Sequence, residues 1–325
     1  MLTRRDLMRG AAAGLAMTAG GGIARAQALK SARVIVGFPA GGGTDVLARI
    51  LAERLKDTYA ATALVENRPG AAARLAVEFV KNAEPDGSVM LFTPDFPITV
   101  YPHSFKSLSY DPLKDLTPVA PAAKSALAFS VGPAVSGDVK TLAEFVEWCR
   151  ARPAQATYAT TAAGGTPHFT GLMLAQEARV PMTPVHYKGG APALQDLLGG
   201  HVASSINPVG ETLPFAKAGS VRVLAVTSGT RSSFMPEVPT MRESGINVLI
   251  ESWLGVLVPS KTPDDVVHRL NLAIRDAFTS LDVTQKLASI GNEPDYQTPA
   301  DFAARLRSDL ERWAPIVKAS GFVAD

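Results

Sequence analysis

Two kinds of apolar segment alternate along the chain. Short runs rich in β-branched and aromatic residues stand at 33–38 (RVIVGF), 62–67, 88–93 (SVMLFT), 126–131, 156–161, 183–187, 221–227 and 253–259. Such runs predict strands buried on both faces. Longer segments of helical period separate them, at 44–59, 192–200, 263–280 and 299–320. In the first of these, Val46, Ile50 and Leu51 share a stripe, with Leu47 and Leu55 beside it. The alternation predicts an α/β protein whose sheets are largely parallel and flanked by helices. Helix starts are signalled by Thr44 before Asp45, by Thr166 before Pro167, and by the Thr-Pro pairs at Thr262 and Thr298. No segment repeats with a period of 20–50 residues, which excludes a solenoid.

Two strand–helix junctions are glycine turns: PAGGGTD at 39–45 and AAGGTPH at 162–168. In an α/β unit such loops lie at the carboxyl end of the sheet, where ligands bind. The first turn of the following helix offers N–H groups without helical partners and a partial positive charge. Glycines let a ligand approach the backbone closely. Each turn is therefore a candidate anion seat, with Thr44 and Thr166 adding hydroxyls. The first turn is not GxGxxG, GxxxxGK[ST] is absent, and no lysine follows either turn. Neutral amides and a hydroxyl suit a carboxylate better than a polyphosphate. The alternative is that each turn merely joins a strand to a helix. A third junction, YKGGAPALQDLLGG at 187–200, has the same form. There Lys188 is either an added cation or a solvated loop lysine.

The chain has 325 residues, 46% hydrophobic and 19% charged, a length that suits about two domains. Its first residues stand apart. Arg4 and Arg5 precede a short Ala/Gly-rich apolar stretch, and small residues before positions 27 and 29 offer cleavage sites after Ala26 or Ala28. This pattern predicts a twin-arginine signal peptide over residues 1–26; the alternative is an amphipathic helix of the mature fold. No segment is long and apolar enough to span a bilayer, so with the signal peptide the expectation is an exported protein that is not membrane-embedded. Without residues 1–26, 28 basic and 29 acidic residues remain, a formal charge of −1 against +2 for the whole chain. That balance excludes a nucleic-acid footprint.

Catalytic signatures are absent. There is no GxSxG, and His103, His168, His186, His201 and His268 show no HExxH or other tight ligand spacing. With a single cysteine, Cys149, on a helical pattern, neither a disulfide nor a zinc site is expected, and the thiol reads as buried. His168 is either a donor to a bound anion or a structural first-turn histidine. The carboxylates form no acid–base pair recognisable from spacing. The expectation is no enzyme, no cofactor and no metal.

Taken in order, GFPAGGGTDVLARILAERL, VENRPGAAA, EPDGSVMLFT, YDPLKDLTPVA, YATTAAGGTPHFTGLML, VHYKGGAPALQDLLGG, LPFAKAGSVRVLAVTS, RSSFMPEVPTMRESG and ESWLGVLVPSKTP resemble the Bug-type substrate-binding proteins of tripartite tricarboxylate transporters, over about residues 30–325. The resemblance implies a two-lobed periplasmic binding-protein fold of the type 2, Venus-flytrap kind, crossed twice by the chain. Lobe one would hold 28–126 and 252–325, and lobe two 127–251. It implies a small carboxylate held in the cleft, delivery to the transporter's transmembrane subunits, and a monomer. The alternatives are a sensory receptor that presents its ligand to a membrane kinase and an exported enzyme acting on a carboxylate derivative. Carried over by position, Phe38, Ala40, Gly41, Gly42, Gly43, Thr44 and Asp45 line one wall, and Ala163, Gly164, Gly165, Thr166 and His168 the other. The loop holding Pro94 and Asp95 adds a possible acceptor. Where the family has Gly-Gly-Asn, Ala72, Ala73 and Arg74 stand, and Arg74 is either a further cleft cation or solvated. Where the family has Phe-Asp, Ile206 and Asn207 stand. Losing that carboxylate demotes amino acids as ligands relative to plain acids. His186 replaces a common proline.

Overall fold

The structure is a computed structural model and describes residues 29–324. The segment expected to be a signal peptide, with both expected cleavage positions, lies outside the described residues. One lobe is built on β1 (Ala32–Val36), α1 (Gly43–Leu55), β2 (Ala63–Asn67), α2 (Arg74–Lys81) and β3 (Val89–Pro94). β1 pairs in parallel with β2 and β3. All six residues of β3 are buried, as in a strand covered on both faces. On α1, Leu47, Ile50, Leu51 and Leu55 are at most 3% exposed and face this sheet. At about 2 kcal/mol per side chain, that stripe contributes on the order of 8 kcal/mol to docking the helix, as an upper value.

After the short helices α3 (Phe96–Thr99), α4 (Tyr101–Ser104) and α5 (Pro112–Asp115), the long strand β4 (Leu116–Val131) carries the chain into the second lobe. Its first part pairs with β9 (Glu251–Pro259) as far as Ala126, and its remainder pairs with β7 (Ser204–Pro208) from Leu127 onward. The second sheet is completed by β5 (Thr157–Thr160) and β6 (Thr183–His186), parallel to each other, and by β8 (Arg222–Val226) beside β4. Helices α6 (Leu142–Ala151), α7 (Thr166–Ala178), α8 (Gly190–Leu198) and α9 (Val209–Lys217) flank it. The chain returns at β9, followed by α10 (Asp264–Thr279), α11 (Leu281–Ser289), the short β10 (Glu293–Pro294) and α12 (Pro299–Ser320).

The sheet order is β2-β1-β3-β9-β4-β7-β5-β6. Parallel pairing is confined to the strand–helix–strand units; β4 and β9 are antiparallel to their neighbours, so the sheets are mixed. The difference has a plain cause: strands that join the lobes enter without a helical crossover, which parallel pairing requires. α12 bridges the lobes. Phe302 and Leu306 pack with the first lobe's core, whereas Trp313 and Val317 join that of the second. Cys149 is buried on α6, and burial pushes its thiol up to about 12. No described helix is long and apolar enough to cross a membrane.

Candidate ligand-binding site

β1 ends at Val36, and the chain passes through the glycine turn before α1 begins at Gly43, with Gly42 as its N-cap. Thr44 is thus a first-turn residue, one position inside the helix. Gly41 takes φ +84°, a conformation that an L side chain adopts only with strain. Asp45 braces the turn from behind. Its Oδ2 accepts the Gly41 N–H at 2.8 Å and Arg49 Nε at 2.9 Å, and its Oδ1 accepts Asn67 Nδ2 at 2.8 Å. Burial alone would raise this carboxyl, but those donors outweigh it and hold the group below the usual carboxylate range. Asp45 shapes the turn and does not line the cavity.

A cavity of about 690 Å³ opens between this turn and the starts of α8 and α9. From the first lobe it is lined by Phe38, Ala40, Gly41, Gly42, Gly43, Thr44 and Pro94. From the second it is lined by Lys188, Gly189, Gly190, Ala191 and Glu211, while Ser125, Leu127, Ser252 and Leu254 come from β4 and β9. The walls are otherwise mostly apolar, and Lys188 and Glu211 are the only charged residues among those lining it. Lys188 is exposed at the rim. Two helix N-termini, those of α1 and α8, therefore open onto one cavity from opposite lobes, an arrangement suited to holding an organic acid. No group of three or more described His, Cys, Asp or Glu residues is placed to hold a metal ion.

Glu211 already uses one of those termini. Its Oε1 accepts the Gly43 N–H at 3.3 Å, so a carboxylate of the second lobe rests on the first amide of α1. Its Oε2 is shut off from water and has no hydrogen-bond partner. A Cβ on Gly190 would lie 1.5 Å from that oxygen, so only glycine leaves room for it. Burial raises the Glu211 carboxyl, and the Gly43 N–H offsets only part of this. Sequence reasoning missed Glu211. Its signal was an acidic residue in the first turn of a helix opening straight after a strand.

The wall expected from Ala163, Gly164, Gly165, Thr166 and His168 lies elsewhere. α7 begins at Thr166, with Gly165 as its N-cap, and the turn is filled by the opposite lobe. A Cβ on Gly165 would meet Phe96 at 3.3 Å, and one on Gly164 would meet Phe322 and Ser104 at 3.1 Å. Ser104 Oγ donates to the Gly164 carbonyl at 3.3 Å. Only Thr161 and Pro167 of this region touch the cavity. The carboxylate held by this turn is the protein's own: Asp95 Oδ2 accepts Thr166 Oγ1 at 2.9 Å, and its Oδ1 accepts Ser252 Oγ at 2.7 Å. Asp95 is buried off the cavity, and burial pushes it up to about 6.

His168 is structural. Its ring is 1% exposed, Nδ1 accepts the Gly164 N–H at 3.1 Å, and burial followed by the neighbouring His186 lowers it to about 3. A neutral imidazole facing its own turn is no donor to a cleft anion. His186 bonds to Thr160 Oγ1 at 2.9 Å and packs edge-on against His168. Asn207 stands behind the cavity wall, where Nδ2 donates to the Gly190 carbonyl at 3.2 Å and Oδ1 is unpartnered. Arg74 points away, its guanidinium 4.0 Å from the Phe105 ring centre.

Two α/β lobes joined through β4 and β9, with a ligand-sized cavity between them, give the fold of periplasmic binding proteins. The chain belongs to the tripartite tricarboxylate transporter family of receptors, whose family description matches residues 47–322. It is 32% identical over 291 residues to Protein BugT of Bordetella pertussis, covering 89% of each chain. Among solved structures it resembles R. palustris Rpa4515 with adipate (31% identity, TM-score 0.85, covering 90% of this chain and 98% of that one). It also resembles MatC from Rhodopseudomonas palustris with bound malate (27% identity, TM-score 0.82, covering 88% and 98%).

Proposed function

We propose that this protein is a periplasmic solute receptor. It binds a small organic carboxylate in the cavity between its lobes and delivers it to the membrane subunits of a tripartite transporter, without a covalent step. The observation that carries the reading is the pair of helix N-termini, at Gly43 and Gly190, opening onto one cavity from opposite lobes. Backbone amides there hold an anion without a lysine or arginine beneath it. The ligands named for the two solved relatives, adipate and malate, are of the same chemical kind.

In this reading the lobes are 28–126 with 252–325 and 127–251, and they open about the two crossings at Ala126/Leu127 and Glu251/Ser252. Ligand touching both termini favours the closed arrangement, because only there are both engaged. The test is a thermal-shift and calorimetric screen of mono-, di- and tricarboxylates on the exported form. A ligand at a hundredfold excess over its Kd stabilises by about 2.7 kcal/mol. Thr44→Val removes a hydroxyl at the cavity wall and should weaken a bound acid by about tenfold, the scale of one hydrogen bond to a charged group. A screen in which no carboxylate binds, or a Thr44→Val variant that binds as the parent does, contradicts this placement.

A further inference from the structure

We propose that Glu211 is a specificity-determining residue, and that it selects a carboxylate carrying a protonated amine close to its acid group. This inference rests on the receptor function proposed above and adds the ligand's second functional group. Three observations lead to it. Glu211 Oε2 is buried at the cavity wall with no donor of any kind. Behind that wall, Asn207 Oδ1 is a second buried acceptor without a partner. Its orientation follows from its own bond, because Nδ2 must face the Gly190 carbonyl. Glu211 Oε2 and Asn207 Nδ2 both lie within 3.3 Å of the point a Gly190 Cβ would occupy, so the two side chains crowd one spot. Beside the α8 N-terminus, the second lobe thus also presents two buried acceptors without donors.

The first lobe presents the opposite chemistry. The start of α1 offers donors, and Glu211 occupies only the one at Gly43. Donors and unfilled acceptors meet where Glu211 Oε1 touches the Gly43 N–H, one carboxyl group's width apart. A plain acid would satisfy the donors and leave Glu211 Oε2 without a partner. An amino acid would satisfy both sides, with its acid group on the α1 amides and its ammonium on Glu211 Oε2. A buried carboxylate with one free oxygen is costly, and a cationic partner removes that cost. Lys188, the only basic residue lining the cavity, is exposed and does not reach Oε2. The position held by Asn207 had argued against amino acids; the carboxylate enters four residues later, from the first turn of α9.

The experiment is calorimetry on the exported protein with ligand pairs differing only in the amine: L-glutamate and glutarate, L-aspartate and succinate, L-valine and isovalerate. The parent protein should bind the amine-bearing member of at least one pair tenfold or more tightly than its plain partner. Glu211→Gln, which keeps the shape and removes the charge, should cut that preference at least tenfold, with the larger loss on the amine-bearing member. Glu211→Ala, checked for folding by thermal melting, should do the same. Plain acids that bind as tightly as their amine-bearing partners, or a preference unchanged in both variants, overturn the assignment of Glu211 and leave the receptor reading intact. Plain acids that tighten tenfold in Glu211→Gln, with no amine preference in the parent, would make Glu211 a competitor for the ligand's place. Failure of every acid in both sets overturns the receptor reading as well.

Discussion

Ala71, Ala72 and Ala73 all lie at positive φ, +45°, +54° and +72°, where the family pattern carries glycines at two positions of this segment. A left-handed residue with a Cβ costs roughly 1–2 kcal/mol relative to a relaxed one. Gly37 shows why the segment stays there: a Cβ on Gly37 would lie 2.5 Å from that of Ala73, so β1 and the start of α2 are in close contact. Ala73→Gly should therefore stabilise the protein by about 1 kcal/mol, after allowing for the extra freedom glycine adds to the unfolded chain. Ala72→Gly should act in the same direction. Urea unfolding of the two variants measures this, and a loss of stability in both would mean that the strain lies elsewhere. The turn at Gly41 is the converse case, because its φ of +84° is met by glycine without strain.

The two glycine junctions show what an element's sequence does and does not reveal. Each was legible as a strand, a glycine turn and a helix start, because β-branched runs, consecutive glycines and a following threonine have direct conformational meaning. What each turn faces was not legible. That depends on Phe96, Ser104 and Phe322, which reach the second turn from distant parts of the chain. The start of β4 escaped the apolar pattern because Pro118 and Pro121 look like strand breakers; the strand absorbs them with register shifts after each. β7, reading SSINP, was too short and polar to register, so the helix start carrying Glu211 went unread with it. The packing of the second turn makes its own prediction. Gly164→Ala places a Cβ at φ +69° and 3.1 Å from Phe322 and Ser104, and should destabilise the protein by roughly 1–3 kcal/mol. Its affinity for a ligand should change less than that of Thr44→Val. Paired melting and binding measurements separate the two, and a Gly164→Ala variant that loses binding while keeping its stability would return this turn to the ligand site.

Across the whole molecule, the lobes are held together by more than the β4 and β9 crossings. Trp313 and Val317 of α12 sit in the second lobe's core, and the Asp95–Thr166 bond joins the lobes beside them. This junction buries two titrating groups whose effects oppose. Asp95 is raised to about 6 by burial, so its contribution is full below about pH 4 and is lost as pH rises through 6. His168 is lowered to about 3, so its contribution is full above about pH 6.5 and is lost as pH falls through 3. Between about pH 4 and 6 the native state holds the proton on Asp95 and refuses it on His168, and the unfolded chain does the reverse. The two slopes, each about 1.4 kcal/mol per pH unit, cancel there. Asp95→Asn removes one of them, so the variant should lose stability on acidification by about that amount per unit relative to the parent. His168→Gln should gain stability over the same window. Urea melts of the three proteins at pH 4, 5 and 6 give the slopes directly. Parallel profiles would mean that water reaches this junction and that the lobes part there without ligand; diverging profiles would mean that the closed contact persists in the free protein.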